Sequence, residues 1–355
     1  NDPLGWDTVF AVPVPEVNAR FAASKAYPQT FAYTLTGSLL TVRIQGAFGP
    51  WSITNGGSGA IVRMLLPVTS GTMTPSNGAP VDLTGGTVTI EVNLIYVPQP
   101  QAKVSPGGGI PNLLQFDTAS VSGLLPVTVL QVSLPSTSAP DVIATAQAAF
   151  SGYLNANLQA FTYVFNTVNL NMIADKGDFQ WLKPTTCSYA YHDAASLQDA
   201  VFGVLCMVLG NKPGTASNQL GPAAIPVGAQ SGFSVSQPLF MEQMVLPGLP
   251  VAMGQGVDAS YFQLLPGDTI IVSTKEIPAP PVKNAGTTYY PKVQEFRLWI
   301  DADVMCIYSK VHCNISPGID AYVEQTSFLS LQLVEKPDGT YTISYTNAAP
   351  AQTNH

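Results

Sequence analysis

Residues able to do chemistry are few in this sequence and widely spread. Only three histidines occur. His192 precedes Asp193 in a Tyr-Ala-Tyr-His-Asp run, His312 lies beside Cys313 within a β-like stretch, and His355 is the last residue. A His–Asp pair has the residue types for proton transfer, although the same run reads as a strand end. Asp301, Asp303, Asp320 and Glu324 lie near one another in sequence. Two such carboxylates suffice for acid–base work and need no local motif; residues of this kind also populate solvated strand edges and turns. Cys306, His312 and Cys313 supply three candidate ligands where zinc asks for four. Cys187 and Cys206 can face each other across a hairpin turning near Ala195–Ser196, either bonded or as small apolar residues. No Cys-x-x-Cys pair, Gly-x-Ser-x-Gly elbow, His-Glu-x-x-His motif, phosphate loop or dinucleotide fingerprint is present. Gly107-Gly108-Gly109 lies between Ser-Pro and Ile-Pro, so it opens no helix for a phosphate. The expectation is a protein without catalytic residues, metal or cofactor.

Composition narrows the class further. Charged residues make up 10% of 355 positions, against about 25% in typical globular chains. Apolar content of 46% is enough for a large core, and it excludes a disordered tail. The net charge of −8 and the absence of a Lys/Arg cluster exclude ordinary nucleic-acid binding. The longest dense apolar run, Val201 to Leu209, is far shorter than the ~20 residues of a membrane helix. No basic and apolar leader opens the chain, which points to a cytoplasmic protein or one exported without a classical signal. Asn314-Ile315-Ser316 is a glycosylation sequon that matters only in a eukaryotic secretory setting.

The positioning elements read mainly as β. Strand-like runs cover Phe31–Ile44, Ala60–Leu66, Thr87–Val97, Leu124–Leu134, Ala200–Leu209, Thr269–Ser273, Val293–Val304, Tyr308–Ile315 and Tyr341–Tyr345, with Gly, Pro and Asn between them. Gly56-Gly57-Ser58-Gly59 and Pro337-Asp338-Gly339 read as hairpin turns. Gln99–Pro111 and Lys212–Gly232 read as long loops. Short helices are expected at about 15–27, stopped by Pro28, and at 237–246, capped by Ser236 and ended by Pro247-Gly248. One elongated domain over 1–345, followed by a tail over 346–355, is the expected organisation.

The most informative stretch is a third helix, about 138–167. Ser138-Ala139-Pro140-Asp141 resembles a capping box. Ile143, Ala146, Phe150, Tyr153, Leu154, Leu158, Phe161, Phe165 and Val168 then recur at helical spacing, predicting a rod roughly 40 Å long. No charge occurs between Asp141 and Asp175, and the opposite face carries Thr145, Gln147, Asn155, Asn157, Gln159 and Thr162. Surface helices of this length normally carry charge. Two arrangements fit the pattern: a helix enclosed by sheet with its amides on backbone, or a helix lying on one sheet face with an uncharged exterior. Phe150, Tyr153, Leu154, Leu158, Phe161 and Phe165, with Phe240, Met241 and Met244 of the last short helix, are core residues or the lining of a seam for an apolar ligand.

Gly5-Trp6-Asp7-Thr8-Val9-Phe10 with Val17-Asn18, Phe240 through Val245-Leu246-Pro247-Gly248, and Pro317-Gly318-Ile319-Asp320-Ala321-Tyr322 resemble the clostridial P47 and OrfX family, over residues 5 to about 345. The resemblance implies an α+β, mostly antiparallel TULIP fold, the tubular lipid-binding architecture in which a highly curved antiparallel sheet wraps a long central helix. It further implies a non-enzymatic lipid or apolar-ligand binding protein, an accessory to a toxin complex encoded in the same gene cluster. The alternative is an interaction module that assembles with sibling TULIP proteins or a toxin without bound lipid. Members of that group are associated with phosphoinositides. This sequence departs from that requirement, because few cations beyond Lys25, Arg43, Arg63, Lys103, Lys183 and Lys212 could meet an anionic headgroup. A jelly-roll coat protein would share the Gly/Pro/Thr-rich strands but not so long a helix.

Overall fold

The computed structural model describes residues 3–25, 27–38, 40–98, 112–116, 125–158, 180–221, 223–254, 256–267, 269–335 and 341–354. The sequence reads as one elongated domain; the chain's contacts divide into two compact units, Asn1–Val235 and Ser236–His355. Strand pairing is antiparallel throughout the described residues, as expected for a mostly antiparallel β protein.

In the first unit, β1 (Thr8–Pro13) leads into α1 (Val14–Ser24). There follow β2 (Thr30–Thr36), β3 (Thr41–Phe48), β4 (Ser52–Ser58), β5 (Ile61–Pro75), β6 (Val81–Asp82), β7 (Thr87–Pro98), β8 (Asn112–Phe116) and β9 (Val127–Ser133). The unit closes with α2 (Pro140–Ala156), β10 (Pro184–His192), β11 (Val201–Val208) and β12 (Gly232–Val235). An eight-stranded sheet runs β2-β3-β5-β7-β8, with β4 and β6 also on β5 and β9 on β7. Alternation sets its inner face: Val62, Met64, Leu66 and Val68 of β5, and Val88, Ile90 and Val92 of β7, are buried. A four-stranded sheet runs β10-β11-β1-β12. Every residue of β11 is buried, because both faces of this sheet are covered. The apolar run too short to span a membrane is thus a central strand.

The opening motif is structural. Trp6 is buried and its indole nitrogen donates to the Ser217 carbonyl at 2.8 Å. The Asp7 carboxylate accepts from Val208 N and Asn211 Nδ2, both at 2.9 Å, and so caps the end of β11. Two sheets are joined by β10. The Tyr189 hydroxyl donates to the Ala60 carbonyl at 2.6 Å, and the backbones of Tyr191 and Gly59 exchange hydrogen bonds at 2.8 and 3.0 Å. The glycine run read as a hairpin turn therefore also serves a close approach. A Cβ on Gly57 would lie 2.5 Å from the Ile61 carbonyl and 2.8 Å from the Tyr191 ring.

The second unit begins with a continuous helical stretch: α3 (Gln237–Phe240), a π-helical turn over Met241–Val245, and α4 (Leu246–Met253). Then come β13 (Phe262–Leu264), β14 (Ile271–Ser273), β15 (Ile277–Pro278), β16 (Val282–Asn284), β17 (Thr287–Tyr289), β18 (Lys292–Asp301), β19 (Val304–Ser316), β20 (Ile319–Glu335) and β21 (Tyr341–Asn354). The main sheet runs β13-β14-β18-β19-β20-β21 with β15 on β18, and β16 and β17 form a separate hairpin. Its core comprises Met241, Leu249, Phe262, Ile271, Ile277, Phe296, Leu298 and Met305.

Several sequence expectations are corrected. Phe31–Ile44 is a hairpin rather than one strand, because Gly37 N bonds the Leu40 carbonyl at 3.0 Å and turns the chain. Helix α1 stops at Ser24, where Lys25 adopts φ 49°, before Pro28 is reached. Helix α2 starts at Pro140 with Ala139 at the N-cap and no side-chain cap; Ser138 is not the capping residue, since proline at N1 brings the required φ and no orphan N–H. Ser236 occupies its N-cap without a side-chain bond. Pro247-Gly248 does not end that helix: the π turn shifts the hydrogen-bond frame, Pro247 opens α4, and the stretch runs to Met253. Residues 346–354 are no tail but the second half of β21, an edge strand whose bulges near Phe328 accommodate Pro350.

Replacing Gly57 with Ala should cost about 1–3 kcal/mol, because the methyl meets backbone that cannot swing away. Urea denaturation of the full chain reads this as a lowered midpoint; an unchanged midpoint contradicts the close approach.

Candidate functional site around helix α2

Helix α2 touches β2 and β3 on one side and β9 on the other. These strands lie toward opposite ends of the eight-stranded sheet, which must curl round the helix for one rod to reach both. The helix is held by sheet on two sides, while Asp141, Ala144, Ala148 and Ala156 stay exposed, and its amides meet backbone through hydrogen bonds the sequence left open. The Asn155 amide oxygen accepts from Val127 N at 3.1 Å, and its nitrogen donates to the Val127 carbonyl at 2.9 Å. Gln147 Nε2 donates to the Val129 carbonyl at 2.8 Å. On the other side the Tyr153 hydroxyl donates to the Thr30 carbonyl of β2 at 3.1 Å, and burial pushes this phenol's pKa up. Gly152 faces the Tyr33 ring, 2.5 Å from where its Cβ would stand, so helix and β2 approach closely.

The apolar side of α2 is filled by protein. Phe150, Tyr153 and Leu154 are buried in the first unit's core. The Phe31 ring lies 4.7 Å from Phe48, 5.2 Å from Phe150 and 6.1 Å from Tyr153, in tilted and edge-on contacts. Phe48 meets Trp51 edge-on at 5.5 Å. Leu158 is partly buried against the same core. Phe161 and Phe165 lie outside the described residues, as does the predicted helix beyond residue 158. The remaining candidates belong to the second unit: Met241 is buried in its core, Phe240 packs on that core, and Met244 is half-buried. The described candidates thus fall in two units: Phe150, Tyr153, Leu154 and Leu158 in the first, and Phe240, Met241 and Met244 in the second.

Two concavities lie elsewhere. An open surface depression of about 550 Å³ is lined by Phe31, Gly46 and Gly71 together with Thr30, Gln45, Thr72, Asp82 and Thr84. The second unit carries a concavity of about 370 Å³ lined by Ile270, Arg297, Trp299 and Tyr308 on one sheet face. The Arg297 guanidinium lies 5.9 Å from the Tyr308 ring centroid and 3.6 Å from Glu295.

The candidate chemical residues do not converge. His192 ends β10 opposite Val201. Its neighbour Asp193 is a latch: it accepts from Gly56 N at 2.9 Å, Asn55 Nδ2 at 3.1 Å and the Tyr191 hydroxyl at 2.9 Å. Burial pushes the Asp193 carboxyl up, but bonds from Tyr191, Asn55 and the Gly56 and Ala194 amides outweigh it, and its pKa is lowered. The Tyr191 phenol is raised, first by burial and then by Asp193. Asp320 bonds His312 at 2.8 Å and Asn314 at 3.2 Å, and Glu324 pairs with Lys310 at 3.5 Å. Asp301 and Asp303 sit at the other end of β19, about 20 Å from the register position of Glu324 and about 33 Å from that of Asp320 at strand rise. Among the described residues no three His, Cys, Asp or Glu side chains gather as metal ligands. No described helix is long and apolar enough to cross a membrane.

With this geometry in place, residues 3–354 match the family description "OrfX-like: Protein OrfX2/OrfX3/P47". The chain belongs to this OrfX-like family. Relatives include Protein OrfX3 of Paraclostridium bifermentans, 26% identical over 382 residues, covering 96% of this chain and 75% of the relative. Protein OrfX3 of Clostridium botulinum (strain Kyoto / Type A2) is 27% identical, with coverages of 96% and 75%. Among solved structures, P47 from Clostridium botulinum A2 superimposes with a TM-score of 0.73 at 19% identity, covering 98% of this chain and 82% of that one. P47 of Clostridium botulinum E1 gives 0.71 at 17% identity, again with coverages of 98% and 82%. These structures share the fold. In the OrfX-like chain the family-resembling residues Trp6 and Asp7 anchor strands, which fits a motif that is structural rather than catalytic.

Removing the Asn155 amide leaves both polar groups of Val127 without their side-chain partner. Asn155→Ala should lose about 1–3 kcal/mol, whereas Thr145→Ala on the exposed side should stay within about 0.5 kcal/mol; thermal melts distinguish them. A second expectation concerns acid. Asp193's lowered pKa stabilises the fold above the unfolded carboxylate's pKa, and this is lost as pH falls through the folded value. The stability gap between the native chain and Asp193→Asn should therefore narrow from pH 6 toward pH 3, as read by urea titrations at each pH.

Proposed function

We propose that this OrfX-like chain is a non-enzymatic interaction module that assembles with sibling proteins of its family, or with a toxin, through its surface. The observation carrying this reading is the filled core. Of the described residues best placed to line an apolar seam beside α2, Phe150 and Tyr153 are spent on contacts with Phe31 and Phe48, and Leu154 is buried in the same core. Their burial supports a solid scaffold over a sheath for an acyl chain. The sparse surface charge and the concavity of Trp299, Tyr308 and Arg297 support it too, because these residue types dominate interface hot spots. The separation of His192 from the Asp301, Asp303, Asp320 and Glu324 carboxylates supports a role other than catalysis.

Lipid binding in a TULIP-type seam, the function the family resemblance implies, is the competing reading. Leu158 favours it, being only partly buried where the described helix ends.

Native mass spectrometry of gently purified full chain separates the two. The interaction reading expects the bare polypeptide mass, and a stable complex in size-exclusion chromatography with an OrfX-type protein from the same source. Trp299→Ala should weaken that complex by about tenfold or more. A stoichiometric lipid adduct, with no complex formed, reverses the choice.

A further inference from the structure

Cys187 on β10 and Cys206 on β11 are direct register partners, and their sulfurs are 3.6 Å apart as free thiols. We propose that this pair is a modification site, closing reversibly into a cross-strand disulfide that ties β10 to β11. Directly opposed residues of antiparallel strands have Cα atoms about 4.5–5.5 Å apart, within the roughly 4.4–6.8 Å that disulfides span. Closure therefore asks for a small approach of two neighbouring strands and no change of pairing. β10 is the outer strand of its sheet, so it can make that approach. Access is graded. Cys187 is half-buried on this edge, while Cys206 is 4% exposed, and contact with Cys187 together with burial pushes the Cys206 thiol up. Cys187 is the entry thiol and Cys206 the resolving one.

The oxidant is a small disulfide of the glutathione type. Cys187 releases its proton to water, and the thiolate attacks one sulfur of the small disulfide. That S–S bond breaks, one small thiol leaves and is protonated, and Cys187 holds a mixed disulfide. Cys206 then gives up its proton and its sulfur attacks the Cys187 sulfur, expelling the second small thiol. Two protein thiols are oxidised and one small disulfide is reduced to two thiols. The other cysteines cannot do this together. Cys306 and Cys313 lie on one strand, β19, seven positions apart and on opposite faces, about 23 Å at strand rise. The bond has a structural consequence, because β10 also carries Tyr189 and Tyr191, which hold the β4–β5 hairpin.

The test equilibrates the reduced full chain with graded ratios of oxidised to reduced glutathione. Remaining thiols are then blocked with N-ethylmaleimide after denaturation, and digests are read by mass spectrometry. The expected result is a linked peptide pair joining Cys187 to Cys206, Cys306 and Cys313 outside that link, and reversal by excess reduced glutathione. The oxidised chain should melt several degrees higher than the reduced one, a shift missing from Cys187→Ser. Cys206→Ala, a small buried replacement, should stall with one glutathione on Cys187; this reads the same chemistry if the Cys187 variant folds poorly. Full N-ethylmaleimide labelling of both cysteines at the most oxidising ratio overturns the proposal. So does a native chain that stalls with glutathione on Cys187 and Cys206 free.

Discussion

Helix α2 holds a curled sheet together by bonding to strands toward each of its ends. Asn155 and Gln147 meet the outward-facing backbone of β9, and Tyr153 reaches the carbonyl of Thr30 in β2. A sheet edge inside a protein leaves backbone groups that must be satisfied. Here amides and a phenol take the place of a neighbouring strand. This explains why the helix carries no charge after Asp141 in its first turn: a Lys or Glu in place of Asn155 would be desolvated against β9 without matching both a donor and an acceptor. It also explains why its apolar side is aromatic. The curled sheet leaves a space wide enough for rings, and Phe31, Phe48, Phe150 and Tyr153 fill it in tilted and edge-on contacts.

The second sheet depends on the first through β10. Tyr189, Tyr191 and Asp193 lie on or beside one strand and bond Ala60, Thr54 and Gly56 of the β4–β5 hairpin. Polar side chains here secure the join between layers while apolar ones fill the layers themselves. Such networks are costly to break in part, since any member left alone keeps its desolvation cost. The same economy appears at Trp6 and Asp7, whose polar atoms fasten a loop and a strand end.

Much of this was legible in the residues, and the gaps have physical causes. Alternation in β5 and β7 and the unbroken apolar run of β11 announced strands and their buried faces, because side-chain period follows directly from backbone geometry. The amides of α2 announced an unusual environment, but whether they met backbone or water depends on β9, which precedes them by a turn and a loop. The Tyr191–Asp193–Asn55 latch was invisible for a similar reason: Asn55 and Gly56 lie 138 and 137 positions from Asp193, and nothing in a Tyr-His-Asp run marks them. Helix ends failed locally. Pro247 was read as a stop because the π turn that accommodates it has no clear sequence signature, and Pro350 was read as the tail of a chain because an edge strand tolerates proline. The separation of Phe150 from Phe240 into two cores could not be read from composition, since each looks like core anywhere.

The place of β1 has a consequence for how the molecule is made. It lies between β11 and β12, and the Asp7–Val208 bond joins residues 201 positions apart. During synthesis this strand emerges early and its two neighbours emerge late, at roughly 5–20 residues per second. For about 10–40 seconds, on that elongation rate, an apolar strand with two open edges waits without its partners. Contacts this distant in sequence also slow folding once the chain is complete. β1 therefore cannot be sealed on both edges until β11 and β12 have both been made.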